Sequence, residues 1–197
     1  MKVIGIIGGT GAGKTTVVSF IKTLKKTFII SADEIGHNIL LKGHTGYHLV
    51  IKAFGPSILS SEQNILREKL GEIVFRTPEK LQLLNKIMHP LIYEEVERQI
   101  RRARREDSFD IVIIDAALLI EIGLLPLTDK VIAVYAEDET RITRIMQRQG
   151  LAKEQILERF KAQKKWEEFS HVADAVIDNS SSLQNTREQI KNLLVHL

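Results

Sequence analysis

Apolar, mostly β-branched runs recur along the chain at Val3 to Ile7, Phe28 to Ile30, Ile111 to Ile114, Val131 to Tyr135 and Ala175 to Ile177. Between them lie longer stretches in which apolar residues return every three or four positions. Runs apolar at nearly every position predict strands covered on both faces, and the 3.6-residue period predicts amphipathic helices. Their alternation predicts an α/β fold, a doubly wound five-stranded parallel sheet with helices on both sides. The interval from Ala32 to Glu106 carries no strand-like run, only helical patterns broken at Gly43, Gly46, Gly55-Pro56 and Pro78. It reads as a helical insertion, about residues 43–106, on a core of about residues 1–42 and 107–197. No repeat, proline-rich linker or low-complexity tract separates the two, so a single domain is expected. Proline suits a first helical turn, so His89-Pro90 is expected to end one helix, Pro78 to Met88, and open another, Leu91 to Arg104.

The first apolar run is followed directly by Gly8-Gly9-Thr10-Gly11-Ala12-Gly13-Lys14-Thr15, which fits the phosphate-binding loop G-x-x-x-x-G-K-[ST] at every fixed position, and then by Thr16 and a helical run to Lys25. Strand, loop and helix in that order let backbone N–H groups and a helix N-terminus converge on phosphate oxygens. In this reading Gly8, Gly9, Gly11, Ala12, Gly13, Lys14, Thr15 and Thr16 cradle the phosphates of ATP or a relative. Lys14 neutralises the β/γ-phosphates, and the Thr15 hydroxyl is a hard donor suited to Mg²⁺.

Composition changes this picture little. The 197 residues are 44% hydrophobic and 27% charged, with no run near the roughly 18 apolar residues of a membrane helix. Val3 to Ala12 has no cleavage pattern and is already explained by the loop, so the mature chain is expected to start at Met1. A net charge of +3 is too mildly basic for a nucleic-acid-binding composition. A phosphate ester is the expected partner, with no nucleic acid and no membrane. Zero cysteines exclude disulfides and thiolate chemistry and fit a cytoplasmic location.

In open parallel sheets, ligands bind beyond the carboxyl ends of the strands. Asp33, Asp115, Glu121 and Asp178-Asn179 are expected at that edge. Asp33 suits a general base that orients an alcohol and accepts its proton during phosphoryl transfer; the ordinary alternative is the N-cap of a helix starting near Glu34. Asp115, ending an apolar run, reads equally as a carboxylate holding Mg²⁺ through water or as a strand-end turn residue. Arg141, Arg144 and Arg148 share one face of a helical run, Thr140 to Gln149, and are candidates for a lid reaching over phosphates, about residues 138–168. Arg101, Arg102, Arg104 and Arg105 form the densest basic cluster, read as a helix C-terminus in preference to a polyanion site.

The histidines His37, His44, His48, His89, His171 and His196 form no metal-ligand spacing, and no G-x-S-x-G turn supports a hydrolase. Two other readings compete: a kinase of another small acceptor, such as a nucleoside or nucleoside monophosphate, and a nucleotide-switched module binding RNA or protein through the arginine cluster. Against the second, Asn85-Lys86-Ile87-Met88 has methionine where an N-K-x-D guanine motif needs aspartate.

Taken in order, the motifs resemble those of the dephospho-CoA kinases, P-loop kinases that phosphorylate the ribose 3′-hydroxyl of dephospho-coenzyme A. The likeness spans nearly the whole chain: the phosphate loop; Ser31-Ala32-Asp33 against D-A-D; Arg67, Leu70 and Phe75 against R-x-x-L-x-x-x-x-F; His89 to Ile92 against H-P-L-I; Asp115 to Glu121 against D-x-P-L-L-x-E; Gln147-Arg148; and Ala173 to Asn179 against A-D-x-V-I-D-N. The resemblance implies ATP as donor with Mg²⁺ on Thr15 and, through water, Asp115. It implies Asp33 as base, Lys14 with the lid arginines Arg144 and Arg148 at the phosphates, and adenine near Asp178 and Asn179. The acceptor would be held by Asp33, His37, Arg67, His89, Leu118 and Glu121, with the helical insertion around it. Ser31 and Ala117 depart from the pattern, replacing an aspartate and a proline, and neither deletes the candidate base.

Overall fold

In the computed structural model, which describes residues 1–195, five parallel strands form one sheet in the order β2-β3-β1-β4-β5. They are β1 (Lys2–Ile7), β2 (Thr27–Ser31), β3 (Ile111–Asp115), β4 (Lys130–Tyr135) and β5 (Ala175–Asp178). All five predicted strands are present, within one or two residues of their expected ends. Alternate side chains feed two separate cores, as the strand period of two requires. Val3, Ile7, Val112, Ile114, Val131 and Ala133 pack on one face. Ile4, Ile6, Ile111, Ile113, Ile132 and Val134 pack on the other. Each fully buried Ile or Val contributes about 1.5–3 kcal/mol, so the sheet is fixed from both sides and its carboxyl edge becomes a firm platform.

The second core is closed by α1 (Lys14–Leu24) and α9 (Leu183–Val195), which give it Val17, Val18, Ile21, Ile190 and Leu194. The first is closed by helices between β2 and β3: α2 (Ala32–Ile39), α3 (Thr45–Phe54), α4 (Arg67–Phe75) and α5 (Pro78–Glu106). After β4 come α6 (Asp138–Gln149), α7 (Lys153–Lys161) and α8 (Trp166–Val172). Ile142 and Ile145 of α6 and Ile156 of α7 make a small core of their own. The helical reading of the segment between β2 and β3 holds apart from one antiparallel bridge, Leu59 to Ile65.

One expectation fails. The chain does not break at His89-Pro90: α5 runs unbroken through both, 29 residues long with Pro90 inside it. Proline removes the hydrogen bond to the carbonyl four residues back, here that of Lys86. Lys86 and Pro90 are both exposed to water, which can solvate the freed carbonyl, while Met88, Ile92, Val96, Ile100 and Ala103 hold the opposite face in the core. Tertiary packing outweighs the local break. Among the described residues no helix is long and apolar enough to cross a membrane. His196 lies outside the described residues.

Candidate active site

Strand order creates the site. From β1 the chain crosses to β2 and β3 on one side and later to β4 and β5 on the other, so the carboxyl end of β1 opens onto the crevice where such sheets take ligands. The register sets Asp115 level with Ile6 of β1 and with Ser31 of β2. A strand-end carboxylate, the start of α2 and the phosphate loop thereby meet at one edge.

The loop is shaped by contacts reaching across it. Gly13, immediately before α1, has φ 98° and lies so close to the Asn179 side-chain amide that a Cβ would collide with it; only glycine combines that backbone with that approach. Lys14 Nζ donates to the Gly8 carbonyl at 2.7 Å, tying the loop's end to its beginning. Asn179, 1% exposed, donates from Nδ2 to the Ala12 carbonyl at 2.8 Å and accepts from the Thr186 hydroxyl at 2.8 Å. It thus acts on the loop from behind. Asn179→Ala leaves the Ala12 carbonyl and the Thr186 hydroxyl without these partners in a buried place, and is expected to cost about 1–3 kcal/mol of stability by urea denaturation.

In front of the loop is a cavity of about 340 Å³ lined by Gly9, Thr10, Gly11, Gly13, Lys14, Thr15, Thr16, Asp33, Asp115, Ala117, Arg144, Ile145 and Arg148. A second, of about 420 Å³, shares Gly9, Thr10, Lys14 and Ala117 with it and adds Gly8, Leu118, Glu121 and Lys164 among others. The two chambers adjoin, with Lys14 on their common wall.

Electrostatics mark the shared wall. Burial lowers the Lys14 pKa, Asp115 and Asp33 oppose that, and Arg141 and Arg148 add to it. Burial likewise raises the Asp115 pKa, with Lys14 lowering it and Asp33 raising it. Two carboxylates, one of them half-buried, thus face Lys14 on this wall, and Arg144 and Arg148 line the same cavity. The hydroxyl of Thr15 and the carboxylate oxygens are hard donors that suit Mg²⁺, which keeps most of its ligands as water and phosphate.

Asp33 is not the cap of α2. Ser31 holds that position, its hydroxyl accepting from the Glu34 N–H at 3.2 Å, and Asp33 sits in the first turn, exposed to the cavity. The residue standing where the family pattern has aspartate therefore does the capping, and Asp33 has no such duty. Of the α6 arginines, Arg144 donates to the Asn179 carbonyl at 2.8 Å and Arg141 to the Thr10 carbonyl at 2.9 Å. Arg148 lines the cavity with no hydrogen bond or ion pair to another described residue.

Other expected site residues stand outside both chambers. His37 is exposed on α2, one turn beyond Asp33, and Arg67 is exposed at the start of α4. His89 is half-buried on α5; burial pushes its imidazole pKa down against the opposing pull of the Glu121 backbone and carboxylate. Asp178 accepts from the Ser180 N–H at 2.8 Å in the turn after β5. The arginine cluster occupies the last turns of α5, where Arg101 pairs with Glu97 at 2.9 Å and Arg102 with Glu106 at 2.7 Å, as a solvated helix end does. Gln163 and Lys164, which the sequence does not single out, line the second chamber.

The family model described as Dephospho-CoA kinase matches residues 2–185. A dephospho-CoA kinase of Carboxydothermus hydrogenoformans is 40% identical, covering 98% of this chain and 93% of its own. Among solved structures, a Thermus thermophilus protein has a TM-score of 0.82 at 26% identity, covering 100% of this chain and 97% of its own. A dephospho-CoA kinase from Campylobacter jejuni has a TM-score of 0.71 at 30% identity, covering 98% and 96%.

Proposed function

The chain belongs to the dephospho-CoA kinase family, whose reaction moves the γ-phosphoryl group of ATP to the ribose 3′-hydroxyl of dephospho-coenzyme A, and we propose that it runs this transfer at the wall between its two chambers. The observation that carries the reading is the convergence of Lys14, Thr15, Asp33, Asp115 and Arg148 on one cavity in front of the phosphate loop.

In this account the loop N–H groups and Lys14 hold the β- and γ-phosphates, and Arg148, with no hydrogen-bond or ion-pair partner among the described residues, is the arginine that reaches them. Arg144 and Asn179 keep the loop in shape. Thr15 would hold Mg²⁺ directly and Asp115 through water, supplying charge neutralisation at the phosphates. Asp33 orients the acceptor hydroxyl and takes its proton as the new P–O bond forms. Most of the catalysis is positioning and electrostatics, as phosphoryl transfer demands. Leu118 and Glu121 in the second chamber, His37 of α2, and Arg67 and His89 from the helical lobe of about residues 43–106 would contact the acceptor. Adenine would lie near Asp178, under a lid of about residues 138–168. The absence of cysteine supports the cytoplasm as the place of action.

The test is a comparison of kcat/KM for ADP release with Mg-ATP and dephospho-coenzyme A, adenosine, AMP or no acceptor. Dephospho-coenzyme A is expected to exceed the others by at least about 10³, since a site built to hydrogen-bond its substrate rejects analogues that lack those groups on that scale or beyond. Preference for a nucleoside or its monophosphate would overturn the acceptor assignment.

A further inference from the structure

We infer that Gln163 is a positioning residue for ATP, holding the tip of the phosphate loop in its binding conformation from the lid. Gln163 lies in the connection between α7 and α8, its own N–H bonded to the Phe160 carbonyl at 3.1 Å. Its side-chain amide meets Thr10, at the middle of the loop, with both of its atoms. Oε1 accepts from the Thr10 N–H at 3.0 Å, and Nε2 donates to the Thr10 hydroxyl at 2.6 Å. The remaining polar group of Thr10, its carbonyl, accepts from Arg141 Nε at 2.9 Å. Every polar group of Thr10 is thus held by a residue of the lid.

The partner residues are themselves fixed. Arg141 donates to Asp138 at 2.8 Å, donates to Gln163 Oε1 at 3.3 Å, and lies 3.8 Å from the centroid of the Phe160 ring. The loop fits closely against this cluster. A Cβ on Gly9 would come within 2.5 Å of Arg141 Nη2 and 3.3 Å of Gln163 Oε1, so the chain uses glycine there to let the lid approach. None of these atoms belongs to Lys14, Asp33 or Asp115, and Thr10 and Gln163 are 153 residues apart in sequence.

The consequence is energetic coupling. A loop held in the phosphate-binding curl before ATP arrives loses less conformational freedom on binding. A lid displacement large enough to part Gln163 from Thr10 removes that support, so lid and loop have to change together. Gln163 does this through Thr10, without touching the reacting atoms.

The inference rests on ATP binding at this loop, and the experiment separates the two. ATP affinity is measured by calorimetry on the wild type, Gln163→Met, Thr10→Val and the double variant, with KM for both substrates and the melting temperature of the ligand-free protein. Methionine keeps the length of glutamine and valine the shape of threonine, so packing is preserved while the amide and hydroxyl are lost. Each single variant is expected to bind ATP about 3–10-fold more weakly, the worth of one or two hydrogen bonds. The double variant should be no worse than the weaker single, because both remove one network. KM for ATP should rise while KM for the acceptor stays within about twofold, a split that general loosening of the fold does not give. Wild-type affinity in Gln163→Met, or losses that multiply in the double variant, would overturn the inference. Failure of the wild type to bind ATP would overturn the functional reading itself.

Discussion

Replacing Asp33 by asparagine is expected to lower kcat by about 10² to 10⁴ while leaving the ATP dissociation constant within about twofold of wild type. The size follows from the proton: the 3′-hydroxyl must lose it as it attacks, and an amide can orient the hydroxyl but cannot accept the proton. The selectivity follows from the fold. The helix-capping hydroxyl belongs to Ser31, and Asp33 is exposed in the first turn of α2. Its charge contributes only about 0.3–1 kcal/mol to the helix dipole, so the variant should unfold near the wild-type temperature. Calorimetric ATP titration together with steady-state turnover checks both halves. A variant that keeps wild-type turnover removes Asp33 from the role of base.

Lys14→Ala is expected to fail differently, losing about 10² to 10³ in kcat together with a weaker hold on ATP. Lys14 stands on the wall shared by the two chambers and faces both Asp115 and Asp33. Its loss leaves the phosphates facing two carboxylates without their nearest cation, in the ground state and more so as charge moves during transfer. The comparison is diagnostic. Asp33→Asn should separate binding from turnover, and Lys14→Ala should lower both, measured in the same pair of assays. Turnover in Lys14→Ala within tenfold of wild type would place the phosphates elsewhere.

The features written locally in the sequence are the ones it makes legible. Strands buried on both faces have to be apolar at nearly every position, so Val3 to Ile7 and Ile111 to Ile114 declare themselves. The phosphate loop does too, since its shape depends on glycines and a lysine at fixed spacing. The break expected at His89-Pro90 rests on a local preference, and packing of Met88 and Ile92 against the core overrides it. Asp33 carries no local sign distinguishing base from cap; only the Ser31 hydroxyl, seen in three dimensions, separates the two. Asn179, within a matched motif, reads as a ligand contact, yet its buried amide faces the Ala12 carbonyl, 167 residues away. Gln163 carries no signal at all, because one glutamine between Ala162 and Lys164 becomes meaningful only once α7 and α8 bring it to Thr10. Interactions between distant residues fix the site, and a single sequence does not record its own long-range pairs.

In the reaction proposed above, this chain delivers the γ-phosphoryl group of ATP to the 3′-hydroxyl of dephospho-coenzyme A in front of Lys14. Phosphorus NMR of the product formed from Mg-ATP and dephospho-coenzyme A tests it most directly. The account predicts one new phosphate monoester on the ribose 3′-oxygen, formed in equal amount with ADP. ADP accompanied by inorganic phosphate and unchanged dephospho-coenzyme A, or a monoester at any other oxygen, would contradict it.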